Sequence, residues 1–127
     1  MIHQFQPPGS SLCGQTCVAM IAGVSLDESI RAFGGKKGGT RTNDVISALR
    51  KLGFNTSDRL IRFNGACFPS DTVIVKLRFS DSKETHWTLW HEGRFYDPSR
   101  YGHGTLNQAK NMYPEGVRMT SYLPIYN

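Results

Sequence analysis

Apolar positions follow two rhythms along the chain, helical in the first half and alternating in the second. Cys17, Met20 and Ile21 recur at helical spacing inside the proline-free stretch from Gln15 to Ala22. This predicts a helix over 13–22 with those side chains turned to a core and Gly23 as its stop. Ser25-Leu26-Asp27-Glu28 has the form of a capping box and starts a second, short helix through Phe33. Thr42 is expected to cap a third helix through Leu52, with Val45, Ile46, Leu49 and Leu52 on one face and Gly53 at its end. Between the second and third helices, Gly34-Gly35-Lys36-Lys37-Gly38-Gly39 reads as a flexible surface loop.

From Thr72 the period changes. Thr72 to Phe79 is β-branched and partly alternating, so a strand is predicted there. His86 to His91 is a second strand, Glu92-Gly93 a two-residue turn, and Arg94 to Asp97 the return strand, closed by Pro98. A weaker strand is expected over Arg59 to Phe63. The tail from Thr105 is expected to add a short helix and a last strand around Tyr122 to Tyr126. Residues 1–12 read as an extended entry in which Pro7-Pro8-Gly9 forces a turn. Helices first and an antiparallel sheet after them predict an α+β domain with its N-terminal helices packed on the sheet. With no repeat and no linker, residues 1–127 form one domain.

Composition narrows the classes. Hydrophobic residues make up 39%, and two Trp, seven Phe and five Tyr supply bulky core material. No apolar run approaches about 18 residues, so no membrane span is expected. The N-terminus lacks the charged-then-apolar form of a signal peptide, which points to the cytoplasm. The net charge is +5, but the basic residues are scattered apart from Lys36, Lys37 and Arg41. A soluble basic surface is favoured over nucleic-acid binding. Three cysteines without a signal peptide argue against a disulfide framework. Cys13, Cys17 and Cys67 match no standard zinc spacing, and no metal or organic cofactor is implied. Cys17 and Cys67 read as small core hydrophobes.

Cys13 differs from them because it lands at a helix N-terminus. Unpaired backbone N–H groups and the positive end of the helix dipole favour a thiolate there. A cysteine nucleophile needs a base, and the base needs a group to orient it. Four histidines are available: His3, His86, His91 and His103. If Glu92-Gly93 is the turn, His91 faces Arg94, Trp90 faces Phe95, Leu89 faces Tyr96 and Thr88 faces Asp97. His86 then shares a sheet face with Asp97, one diagonal step away, while His91 falls on the other face. His3 and His103 read as surface residues, and Trp87, Leu89 and Trp90 as core or cleft wall.

The run Cys13-Gly14-x-x-Cys17-x-x-Met20 resembles the nucleophile segment of the double-glycine leader peptidases, the papain-like enzymes that mature bacteriocin precursors. The resemblance extends through Phe68-Pro69, His86 and Asp97-Pro98, and the order Cys13, His86, Asp97 is papain-like. It implies a papain-like cysteine peptidase fold and a Cys13-His86-Asp97 triad that cleaves a peptide or isopeptide bond through an acyl-enzyme. The substrate it implies is a peptide or protein, with a Gly-Gly motif as one candidate signal. The family also places an oxyanion-stabilising glutamine six residues before its cysteine. Here position 7 is Pro7, so the role falls to Gln6, one residue further away, with Gln4 behind it. The family's usual aspartate before the cysteine is replaced by Leu12. A thiol-dependent acyltransferase and a non-catalytic peptide-binding domain of the same fold are the alternatives.

Overall fold

The structure is a computed structural model and describes residues 1–65, 67–80, 84–99, 103–104, 113 and 115–126. Three helices come first: α1 (Cys13–Ala22), α2 (Leu26–Ala32) and α3 (Thr42–Lys51). α1 closes on Gly23, whose φ of 67° lets its N–H return to the Ala19 carbonyl. α2 begins as its capping box predicts, with the Ser25 hydroxyl accepting the Glu28 N–H at 3.1 Å. α3 departs by one residue. Thr42 is its first helical residue and Arg41 stands at the cap. An arginine side chain has no acceptor to offer, so the Asp44 carboxylate takes over and accepts the Arg41 N–H at 2.9 Å. That bond, followed by the contact with Lys36, holds the Asp44 carboxyl below the usual carboxylate range.

The strands are β1 (Asn55–Thr56), β2 (Ile61–Arg62), β3 (Thr72–Phe79), β4 (Thr85–His91), β5 (Arg94–Tyr96), β6 (His103–Gly104) and β7 (Val117–Tyr126). They form one antiparallel sheet in the order β1-β7-β3-β4-β5-β6, with β2 also paired to β7. The β4–β5 hairpin has the predicted register: His91 opposite Arg94, Trp90 opposite Phe95 and Leu89 opposite Tyr96. Its turn has positive φ at both Glu92 (46°) and Gly93 (86°), the type I′ geometry that matches the strand twist. β7 is longer than its sequence pattern predicts. Its register against β3 shifts between Lys76 and Leu77, so Ser121 pairs with Lys76 and Met119 with Leu77. The extra residue, Thr120, bonds the Lys76 carbonyl through its hydroxyl at 3.3 Å. That bulge breaks the alternation on which the strand's recognition depends. The short helix expected from Thr105 lies outside the described residues, as does the side chain of His103.

Both faces of the sheet are covered. On one, Ile74, Trp87, Leu89, Leu123 and Ile125 pack against Cys17, Val18, Met20, Val45, Ile46 and Leu49 of the helices. On the other, Val73, Val75, Leu77, Phe95, Tyr113 and Tyr122 form a second cluster, over which Phe63, Phe68 and Trp90 close. Full burial of one such side chain contributes about 1.5–3 kcal/mol. The two-sided packing therefore fixes β3 and β4 beneath the residues they carry. Cys67 is a correction to the sequence reading: it is exposed and packs in neither cluster. It lies in the irregular run before Phe68, where no periodicity bears on burial.

Candidate active site

Cys13 is the first residue of α1, and the cap before it, Leu12, makes no side-chain hydrogen bond. Leu12 is buried, and its carbonyl accepts both the Thr16 N–H (2.9 Å) and the Thr16 hydroxyl (2.8 Å). With no capping side chain in the way, the positive end of the helix faces the cleft beside the thiol. Gly14 lets that turn of helix sit close to its neighbours. A Cβ there would run into Thr40 Oγ1 and press on Trp87 Cδ1.

His86 reaches the thiol from the start of β4. Its Nε2 lies 3.0 and 3.1 Å from the two carboxylate oxygens of Asp97, and the ring lines the same cavity as Cys13. The diagonal contact predicted from the hairpin register is therefore made. Burial opposes a charge on the ring, but hydrogen bonds and charge from Asp97 and then Cys13 outweigh it and push His86 up to about 9. Asp97 is completely buried. Burial alone would raise its carboxyl; the imidazole, the Ser99 N–H and the Tyr113 hydroxyl hold it below the ordinary carboxylate range instead.

Asp97-Pro98 does two jobs. Asp97 Oδ1 accepts the Ser99 N–H at 2.8 Å, the turn that an Asp-Pro pair favours, and also the Ser99 hydroxyl at 2.9 Å. Since that hydroxyl gives its proton to the carboxylate, Ser99 Oγ can only accept from His86 Nε2, 3.3 Å away. On the other oxygen, Tyr113 donates to Asp97 Oδ2 at 2.7 Å. Sequence reading missed Ser99 and Tyr113. The Asp-Pro-Ser turn pointed to the first; the second lies on the far side of a poorly patterned segment and gave no signal.

Cys17 lies one turn beyond Cys13 and is fully buried, with Sγ 3.6 Å from the Trp87 carbonyl. Burial, aided by the negative charge of Cys13 and Asp97, pushes its thiol well up. His91 is on the other face of β4, where Nδ1 meets the Thr72 hydroxyl at 2.8 Å. The two glutamines also separate. Gln6 lines the same ≈ 950 Å³ cavity as Cys13, His86 and Ser99, while Gln4 faces a different hollow and donates to the Val24 carbonyl at 3.0 Å. The extra residue between Gln6 and Cys13 is absorbed by a tight turn. The Ser10 N–H meets the Pro7 carbonyl at 3.1 Å, Pro8 takes the second position and Gly9 the third with φ 73°, as in a type II turn.

Two further readings change. His3 is not a simple surface residue: its Nε2 lies 2.6 Å from the Asp97 carbonyl oxygen, and its ring packs on Phe5 and Tyr96. With the Gln6 N–H on the Pro98 carbonyl at 2.7 Å, it straps the entry segment across the site. The glycine-rich loop is exposed but anchored, since the buried Gln15 amide donates to the carbonyls of Lys36 and Gly38 at 3.0 Å each. Lys36, Gly39, Thr40 and Arg41 thereby become one wall of the cavity.

No family model and no curated protein matches the sequence. Among solved structures the chain is similar to the peptidase domain of Streptococcus ComA, described as a bi-functional ABC transporter involved in a quorum-sensing pathway. The TM-score is 0.60 at 17% identity, over 96% of this chain and 95% of that one. Among the described residues no helix is long and apolar enough to cross a membrane. The chain has the fold of that peptidase domain, the papain-like α+β arrangement of helices packed on an antiparallel sheet.

Proposed function

We propose that the protein is a cysteine peptidase with Cys13 as nucleophile, His86 as base and acid, and Asp97 as the group that orients the imidazole. One observation carries this reading: a thiol at an uncapped helix start shares a cleft with an imidazole tied to a fully buried carboxylate. His86 takes the Cys13 proton, and the thiolate attacks the substrate carbonyl. The Gln6 amide and the Cys13 backbone N–H hold the oxyanion, each worth a few kcal/mol in the transition state. Gln6 Nε2 donates to the Ser10 carbonyl at 2.7 Å and more weakly to the Ser10 hydroxyl at 3.4 Å, and the second of these is the bond an oxyanion would replace. The imidazolium then protonates the leaving amine, and water, deprotonated by the same ring, releases the acyl group. The substrate is a peptide or protein chain, with a Gly-Gly motif as one candidate signal.

Incubation with a peptide library tests the class. Mass spectrometry should find new termini whose formation stops once Cys13 is alkylated. Products that carry an added amine acceptor in place of water would assign acyl transfer instead. Peptides retained but left intact, with and without acceptors, would contradict both and favour a binding domain.

A further inference from the structure

Proton directions around Asp97 define a relay that the triad alone does not require. Tyr113 Oη lies 2.7 Å from Asp97 Oδ2 and 3.0 Å from Thr88 Oγ1, and a phenol has one proton to give. The carboxylate has none, so the Tyr113 proton goes mainly to Asp97, the shorter contact, while Thr88 Oγ1 accepts from the same hydroxyl and helps place the phenol. Thr88 is completely buried and Tyr113 is 9% exposed, so this chain runs away from water. Thr88 stands two residues after His86 on the same face of β4. One strand thus carries both the imidazole on one side of the carboxylate and the hydroxyl that fixes its far side.

We propose that Tyr113, backed by Thr88, is a positioning residue that holds the Asp97 carboxylate in register with His86. The inference rests on the catalytic reading of Cys13 and His86 for its consequence, though not for its geometry. Asp97 meets His86 Nε2 almost symmetrically, at 3.0 and 3.1 Å. Ser99 loads Oδ1 alone with two donors. Without the Tyr113 proton, Oδ2 would keep only its share of the imidazole. The carboxylate would then be free to rotate about its bond and pull the ring off the thiol. Loss of the donor also leaves a buried anion short of a partner, which favours its protonated form.

Among the described residues, the titratable groups facing Asp97 are His86 from β4, Cys17 from α1, Tyr113 itself and, at the main-chain carbonyl, His3. Tyr113 is driven above its ordinary value, first by burial and then by the Asp97 charge, and stays a neutral donor throughout the working range. Cys17 is pushed up as well and stays neutral.

The test compares wild type with Tyr113→Phe and Thr88→Val, each close to its parent in shape. Two titrations are followed: the Asp97 side-chain carboxyl by carbon NMR, and the rate of Cys13 alkylation by iodoacetamide. In Tyr113→Phe the Asp97 midpoint should rise by about one pH unit, a tenfold change in its proton affinity. The acid limb of the alkylation profile should move with it. Thr88→Val, which removes the acceptor that helps place the phenol, should move both the same way by less. An Asp97 midpoint that stays at the wild-type value in both folded variants overturns the proposal. A midpoint that moves while wild-type Cys13 is no more reactive than Cys67 supports the relay and contradicts the peptidase reading.

Discussion

Replacing Cys13 with alanine should leave a folded protein whose peptide turnover falls by on the order of 10⁶-fold, whereas Cys17→Ala should keep its activity. Cys13 is half-exposed at the first turn of α1, so little packing is lost with its sulfur. It is the cysteine that lines the cavity together with His86. Cys17 is enclosed between α1 and β4, its Sγ on the Trp87 carbonyl and its thiol held neutral by burial. Removing that sulfur should cost about 1 kcal/mol of stability, read as a lower denaturation midpoint. Turnover surviving in Cys13→Ala and lost in Cys17→Ala would reverse the assignment.

The second large effect belongs to His86. His86→Ala should reduce turnover about as far as Cys13→Ala, because neither residue of a nucleophile–base pair works without the other. His91→Ala should leave kcat/KM close to wild type, since that ring sits on the opposite face beside Thr72 and Glu92. The same residue sets the upper pH limit. His86 must be an imidazolium to protonate the leaving amine, and its partners push it up to about 9. Below that value the ring stays charged; as pH rises through it the proton is lost, and kcat/KM should fall. Equal losses in the His86 and His91 variants would show that the hairpin register does not decide which histidine matters.

Much of this arrangement is legible in the amino-acid sequence where local chemistry determines it. α1 begins and ends where the proline-free run and Gly23 place it, and β3 covers the β-branched stretch from Thr72 to Phe79. The Glu92-Gly93 turn fixes the register that brings His86 to Asp97. Gln6 could be ranked above Gln4 only by the resemblance, and it is the turn at Pro8-Gly9 that carries it into the cleft with Cys13. Other features arise between distant residues and leave no local trace. β1 and β6 are two residues each and exist because a neighbouring strand pairs with them. His3 meets a carbonyl 94 positions away. Tyr113 meets a carboxylate 16 positions away across a segment without clear period. The glycine-rich loop reads as flexible from composition alone, yet two of its carbonyls are held by a buried glutamine on α1.

Where a covalent inhibitor lands tests the nucleophile most directly. A peptide epoxide added at less than one equivalent should form one adduct, located by peptide mapping and mass spectrometry on Cys13, and none with Cys13→Ala. His86→Ala should slow its formation. An adduct on Cys17, or labelling divided equally between Cys13 and the exposed Cys67, would contradict Cys13 as the activated thiol and the triad built on it.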